Sequence, residues 1–208
     1  MTPPLSLVER KQRQARQRII DAARELFLER GFDSVSVGDI AERAEVGRTT
    51  FFRHFGDKQE VVFANEQELL DTITAAGQAD GTPAPRNATE AVEQLRPILL
   101  ALCAQATADP EAYIRHFQLI EQQPELRARD AVKMQQIADK LSDLLIHRGS
   151  DEATARFAAQ IALACYQTAK SLGNNPRTLA DQTQAALRRA LTLGTGTAET
   201  QAEPRGSR

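Results

Sequence analysis

The sequence predicts an all-α protein, and three observations support this fold class. Apolar residues recur three or four positions apart in segment after segment, which is the period of one helix face. Residues that begin or end helices, such as Asp-Pro, Asn-Asn-Pro and isolated Gly, stand between these segments. No segment alternates apolar and polar residues as a half-buried strand does.

The first predicted helix runs from about residue 12 to residue 30. Its apolar stripe consists of Ile19, Ala23, Leu26 and Phe27. Gly31 followed by an apolar residue is typical of a helix C-terminus, because Gly readily adopts positive φ. We therefore expect the helix to end there and to bury one side.

Residues 34 to 58 contain two short helices joined by a tight turn. Ser36 can cap the first helix, and Asp39 completes a capping box. Gly47 is an acceptable N-cap for the second, Arg48 to His54. Its inner face is supplied by Phe51 and Phe55, and its outer face by Arg48, Thr49, Thr50, Arg53 and His54. A helix of this size fits the major groove of B-DNA, where Arg binds guanine bidentately and Thr offers a hydroxyl and a methyl. We interpret the pair as a helix-turn-helix.

The rest of the chain is predicted to form longer helices, separated by residues that begin or end helices. Asp57 can cap a long fourth helix that reaches Gly77, and residues 81 to 87 form a loop. Further helices begin after Asn87, at Pro110 and at Pro124. The last two span residues 151–173 and 178–193, the final one opened by Thr178. Residues 195–208 have no apolar face and are predicted to be disordered.

Composition and motifs exclude several classes of protein. The longest apolar run is far too short to span a bilayer, and no signal peptide opens the chain. Cys103 and Cys165 lie far apart in no paired spacing, which points to a cytoplasmic protein without a disulfide framework. We find no Gly-rich phosphate loop, nucleophile elbow or His/Cys/carboxylate cluster, so we expect no enzyme activity, cofactor or metal.

A basic segment precedes the helix-turn-helix. Residues 9 to 18 contain one acidic residue, Glu9, and these basic ones: Arg10, Lys11, Arg13, Arg16 and Arg18. The net charge of the chain is −2, but phosphate binding needs only local positive charge within a Debye length of about 8 Å. Such a run is commonly a solvated helix face. Next to this motif we interpret it as an arm that enters the minor groove or follows the DNA backbone.

The motif resembles the DNA-binding domain of TetR-family transcriptional regulators. The family pattern, roughly Ile-Ala-x-x-Ala-Gly-Val-Ser-x-x-Thr-Leu-Tyr-x-His-Phe-x-x-Lys, is matched at Ile40, Ala41, Ala44, Val46, Thr50, Phe51, Phe52, His54, Phe55 and Lys58. The helix before it, Ile19 to Phe32, matches the family's upstream helix, so about 50 of 208 residues carry the resemblance. Three positions depart from it: Glu45 replaces a turn glycine, Phe52 replaces a tyrosine, and Gly38 stands where a longer polar side chain reaches a base.

The resemblance implies how the chain binds DNA. Base reading is expected from Arg48, Thr49 and Thr50. Phe52 and Arg53 complete the DNA-binding surface, and phosphate contacts are expected from Ser36, His54, Lys58 and the basic arm with Lys11 and Arg13. The predicted domains are 1–56 for DNA binding, 57–194 for effector binding and dimerisation, and 195–208 for the tail.

The resemblance also implies a homodimer formed by the last two helices, a palindromic DNA operator and a small apolar effector. Small residues of the penultimate helix, Ala155, Ala158, Ala159, Ala162 and Ala169, allow close helix approach. Their pattern alone suits a dimer seam and the subunit's own core equally. Candidate pocket residues are Tyr113, His116, Phe117 and Ile120 on one helix and Met134, Ile137 and Leu141 on the next, with ordinary core as the alternative.

The sequence therefore predicts a ligand-responsive repressor that is released from DNA when the fourth helix transmits effector binding. Two alternatives stay open. One is a helical protein-interaction module whose motif packs against protein, and the other is a TetR-like activator.

Overall fold

The computed structural model describes residues 6–77 and 81–193. These residues form ten helices and no strand, which confirms the all-α prediction. The helices are α1 (Leu7–Arg30), α2 (Val37–Arg43), α3 (Arg48–His54), α4 (Lys58–Val62), α5 (Glu66–Gly77), α6 (Ala88–Ala106), α7 (Pro110–Gln122), α8 (Pro124–His147), α9 (Glu152–Ser171) and α10 (Leu179–Thr192). The chain divides into two compact units between Glu66 and Gln67. The predicted tail, 195–208, lies outside the described residues.

The first unit is organised around the apolar stripe of α1. Ile19, Ala23 and Leu26 are buried as predicted, and α1 contacts α2, α3 and α4. The same core includes Ile40 from α2 and Phe51 from α3. The two short helices of the motif are therefore fixed by packing against a long one, since helices of this length are not stable alone.

The helix α1 begins earlier than the sequence predicts. The Ser6 hydroxyl accepts a hydrogen bond from the Glu9 N–H (3.2 Å), and the Glu9 carboxylate accepts one from the Ser6 N–H (2.7 Å). This capping box makes the basic segment helical. Residues 6–14 are all exposed, so this part of the helix has no apolar stripe from which it could be predicted. The C-terminus is as predicted, with Gly31 at φ 76°.

The predicted long fourth helix is wrong, because residues 63–65 separate α4 from α5. Phe63 and Ala64 are buried, and the Arg16 guanidinium donates to the Ala64 carbonyl (2.6 Å). A side chain from α1 thus takes an acceptor that a continuous helix would use, and neither Gly nor Pro marks the break. The predicted boundary at 56/57 lies before this break, whereas Val61 and Ala64 pack in the core of the first unit.

In the second unit, α9 packs against α6, α8 and α10. Five of its seven alanines face this unit's own core, each at most 1% exposed: Ala155, Ala158, Ala159, Ala162 and Ala169. The close approach that they allow is therefore used within the subunit, which is the second of the two alternatives that the sequence left open. The outward side of α9 carries Phe157, which is 58% exposed.

The helix starts of the second unit are set by local capping. Asn87, Asp109 and Asp151 each accept a hydrogen bond from the N–H three residues on, as side-chain caps do. Thr178 occupies the N-cap of α10 but makes no side-chain cap hydrogen bond, contrary to the expectation that its side chain opens this helix. Within residues 6–77 and 81–193, no helix is both long and apolar enough to cross a bilayer.

Candidate nucleic-acid interface and apolar cleft

The helix α3 has an anchored inner side and a polar outer side. Phe51 is fully buried, Phe55 is 5% exposed, and their ring centroids lie 6.0 Å apart, as the sequence predicts. Removing a buried aromatic of this kind lowers the free energy of unfolding by about 3–5 kcal/mol, so these rings fix the packing of α3 against the rest of its unit. The side chains of Arg48, Thr49, Phe52 and Arg53 are exposed, whereas Thr50 and His54 are half-buried.

The turn between α2 and α3 keeps a left-handed residue although that residue is not glycine. Glu45 has φ 52°. Its N–H donates to the Glu42 carbonyl (3.0 Å), and the Val46 N–H donates to the Ala41 carbonyl (2.9 Å). These two hydrogen bonds define a Schellman motif. The turn geometry is retained, and Glu45 stores a strain of about 1 kcal/mol relative to glycine.

Lys58, a predicted phosphate contact, is engaged inside the first unit. Its Nζ donates to the carbonyls of Phe32 (2.8 Å) and Val35 (2.9 Å), and it lies 4.4 Å from the centroid of the Phe32 ring. These carbonyls belong to the connection between α1 and α2, in which the Phe32 carbonyl also accepts a hydrogen bond from the Val35 N–H (3.3 Å). The structure therefore gives Lys58 a role in holding this connection.

Ser36, a second predicted phosphate contact, caps α2. Its hydroxyl accepts from the Asp39 N–H (3.2 Å) and donates to the Asp39 carboxylate (2.5 Å). Hydrogen bonding by the Ser36 side chain and backbone lowers the pKa of Asp39, with Arg30 adding a smaller effect. The predicted capping box is thus present.

His54 lies at the end of α3 among positive charges. Partial burial lowers the pKa of its imidazole, and the neighbouring Arg16 and Arg53 lower it further. The imidazole is therefore mainly neutral near pH 7 in the free protein. An approaching phosphate would oppose these effects and favour the protonated ring.

The basic segment presents its charge on a rigid helix. Arg10, Lys11 and Arg13 are exposed on the first turns of α1. Arg16 is turned inward, with its guanidinium 5.0 Å from the centroid of the Phe55 ring. An α-helix is about 10–12 Å across, whereas the minor groove is about 6 Å wide. Of the two alternatives for the basic segment, contact with the DNA backbone is therefore the one that its helical geometry favours.

A small apolar cleft, with a cavity volume of about 40 Å³ and partly open to solvent, lies in the second unit. Four helices line it, α5, α6, α8 and α9, through Leu69, Leu99, Leu102, Ala106, Met134, Ile137, Ala138, Leu141, Leu163 and Tyr166. Met134, Ile137 and Leu141 were predicted from the sequence. The other lining residues come from helices far apart in the chain, and no periodicity within one helix identifies them.

The remaining predicted pocket residues do not line this cleft. Tyr113, Phe117 and Ile120 are buried, and His116 packs against the Phe117 ring with a centroid distance of 4.9 Å. Tyr113 donates a hydrogen bond to Asn174. This packing agrees with ordinary core, the alternative that the sequence left open.

A partly buried ion pair lies beside this aromatic group. The Lys170 ammonium is 4.1 Å from the Phe117 ring centroid and 3.3 Å from an Asp130 carboxylate oxygen. Tyr166 connects this polar group to the cleft that it lines, and burial followed by the charge of Tyr113 raises the pKa of its phenol. The cleft therefore has apolar walls and one tyrosine beside them.

Known proteins that are similar to this chain in sequence are bacterial regulators. The pattern of bacterial regulatory proteins of the tetR family matches residues 19–64. The HTH-type transcriptional regulator TcmR of Streptomyces glaucescens is 27% identical over 164 residues, which are 77% of this chain and 72% of that protein.

Solved structures share the fold over most of the chain. Thermus thermophilus FadR, a TetR-family repressor crystallised with lauroyl-CoA, has a TM-score of 0.57 and 24% identity, and the match covers 92% of this chain and 100% of that one. The SmeT–triclosan complex has a TM-score of 0.56 and 19% identity, with coverage of 93% and 99%. The geometry of α2 and α3, the match over residues 19–64 and these similarities agree: the chain belongs to the TetR family of DNA-binding transcriptional regulators.

Proposed function

We propose that this protein is a homodimeric repressor that reads a palindromic operator and is released by a small apolar effector. One observation carries the proposal: α3 turns Phe51 inward and exposes Arg48, Thr49, Phe52 and Arg53. A helix with buried aromatics on one side and donors on the other is suited to the major groove. In this proposal α3 is the recognition helix.

Base reading is assigned to Arg48, Thr49 and Thr50. Arg binds the O6 and N7 of guanine through two parallel hydrogen bonds, and the Thr methyl contacts thymine. Phe52 is 55% exposed and has no hydroxyl for a phosphate. Its ring is suited to an apolar contact with a thymine methyl, which phenylalanine makes in the major groove.

Phosphate binding is assigned to the exposed start of α1 together with the end of α3. Arg10, Lys11 and Arg13 form a basic helical surface, and Arg53 and His54 add to it. Contacts of this kind position the protein without reading sequence, and each gives affinity a dependence on salt. Lys58 and Ser36 are left out of this set because their polar groups already make hydrogen bonds within the first unit.

Dimerisation is assigned to α9 and α10. The buried alanines of α9 are used within the subunit, so the proposed contact surface is the outward one, on which Phe157 is 58% exposed. Ile161 of α9 and Leu191 of α10 are only partly buried against the core, so each keeps some apolar surface exposed. In a symmetric dimer two recognition helices enter successive major grooves about 34–36 Å apart, which calls for a palindromic operator.

Effector binding is assigned to the apolar cleft. Its walls are almost entirely aliphatic, with Tyr166 as the polar lining residue. Such a site suits an apolar molecule with a single polar group. FadR, which shares the fold, was crystallised with lauroyl-CoA, a ligand whose acyl chain is apolar. A coupling of about 1–3 kcal/mol between effector and DNA changes operator affinity roughly 5- to 150-fold.

The test is fluorescence-anisotropy titration of the purified protein with duplexes from the region upstream of its gene, at several salt concentrations. Tight binding to one duplex with a steep salt dependence is expected, and Arg48→Lys should lose preference for that duplex while it retains non-specific affinity. The Lys variant keeps the charge and removes the bidentate geometry.

Absence of salt-dependent binding to any duplex would favour the protein-interaction module. In vitro transcription distinguishes a repressor from an activator on the duplex that binds.

A further inference from the structure

Gly38 is placed where helix physics does not favour glycine. It is the second residue of α2, after the N-cap Ser36 and Val37. Its φ lies outside the positive range that L-residues avoid, so the backbone does not require glycine there. Glycine in a helix is less stable than alanine because it loses more backbone freedom on folding. A residue that breaks a local rule without a backbone reason is a candidate for a functional constraint.

The nearest atoms around the missing side chain belong mainly to Arg48. A Cβ at position 38 would lie 2.8 Å from Nη2 of Arg48 and 3.5 Å from its Cζ, with the Ser36 Oγ at 3.4 Å. The guanidinium of Arg48 therefore lies directly over Gly38. Among the residues that the structure describes, no hydrogen bond or ion pair holds this guanidinium. The guanidinium of Arg48 thus packs against the backbone of α2 at Gly38.

We propose that Gly38 is a specificity-determining residue that acts by positioning Arg48. Glycine leaves room for the guanidinium to cross the start of α2, and any side chain at position 38 displaces it. The inference rests on the proposed DNA reading by α3. It adds that Arg48, on α3, prefers guanine at its base pair only because Gly38, on α2, has no side chain.

The contact also predicts that this dependence is separable from folding. The atom closest to the added Cβ is the end of a flexible side chain, which moves at little cost. Alanine is the better helix former. Gly38→Ala should therefore fold with unchanged or higher thermal stability while its DNA preference changes. A role of Gly38 in folding would give the opposite pattern.

The experiment is a double-mutant cycle on DNA. The wild-type protein first selects a duplex from a random pool. In a second duplex, another base replaces the guanine that the wild type prefers and that Arg48→Ala no longer prefers. Affinities for both duplexes are measured for wild type, Gly38→Ala, Arg48→Ala and the double variant. Gly56→Ala is the matched control, because a Cβ at Gly56 meets no atom within 4 Å.

We expect the wild type and Gly56→Ala to prefer the guanine duplex roughly 5- to 150-fold, the discrimination of one bidentate pair. Gly38→Ala should reduce this preference at least 5-fold when Arg48 is present. In the Arg48→Ala background, Gly38→Ala should not change the ratio of the two affinities. Unchanged preference in Gly38→Ala, an equal effect in the Arg48→Ala background, or a fall in melting temperature would each overturn the inference. If the wild type selects no sequence at all, the proposed function fails and the inference fails with it.

Discussion

Replacement of Lys58 by Met tests the role that the structure gives to this ammonium group. Its Nζ donates to the Phe32 and Val35 carbonyls at 2.8 and 2.9 Å, in a half-buried position. A hydrogen bond to a charged group contributes about 1.5–3 kcal/mol. Met keeps the apolar stem and removes both donors. Because part of the site is solvated, we expect the free energy of unfolding of the first unit to fall by about 2–3 kcal/mol.

The loss is measurable by amide hydrogen exchange at the buried residues Ile20 and Ala23 of α1. Exchange at these amides should be roughly 30- to 150-fold faster in the variant, since about 1.4 kcal/mol corresponds to a factor of ten. Intrinsic fluorescence is unsuitable for this purpose, because the chain has no Trp and its two tyrosines, Tyr113 and Tyr166, lie in the second unit.

The same variant separates a structural role from a phosphate contact. The slope of log affinity against log salt should be unchanged in Lys58→Met, whereas the control Lys11→Met, at an exposed position, should reduce its magnitude by about 0.9. If Lys58→Met flattened the slope by that amount while amide exchange stayed at the wild-type rate, the reasoning from the carbonyl contacts would be refuted.

Three further predictions concern the turn, the imidazole and the dimer. Glu45→Gly should raise the free energy of unfolding by up to about 1 kcal/mol in urea denaturation, because it relieves a positive φ of 52°, and a loss of stability would show that the turn is not strained. His54 has a lowered pKa in the free protein, so phosphate contact should drive proton uptake. Operator affinity should then rise as pH falls from about 7.5 to 5.5 in the wild type and stay flat in His54→Gln, and equal pH profiles would exclude this contact. Phe157→Glu should convert a dimer to a monomer in light scattering, whereas Val132→Glu, which is equally exposed at 58%, should not; a dimer that persists in both would place the interface elsewhere.

Features specified by nearby residues could be predicted from the sequence. The capping box of Ser36 and Asp39, the cap at Asn87 and the glycine C-terminus at Gly31 each involve partners within a few positions. The same holds for Phe51 and Phe55, whose spacing alone places both on one side of α3. Local hydrogen bonding and helical periodicity are sufficient for such features.

Features decided by distant partners could not be predicted. At the break after α4 the Ala64 carbonyl accepts a hydrogen bond from the distant Arg16, and Lys58 donates to carbonyls more than twenty positions earlier in the chain. Helical periodicity also places Ala158 on a buried face without saying whether its neighbour is the same subunit or another. The cleft combines side chains from four helices, so only those that also followed one predicted stripe were found.

The central claim is that α3 reads DNA sequence for a symmetric dimer, and selection of binding sites from a random DNA pool tests it most directly. The account predicts an enriched inverted repeat with half-site centres about 10 base pairs apart, and a preference for guanine at one position per half-site that disappears when Arg48→Lys makes the selection. Enrichment of no sequence, or of the same motif by wild type and Arg48→Lys, would contradict it.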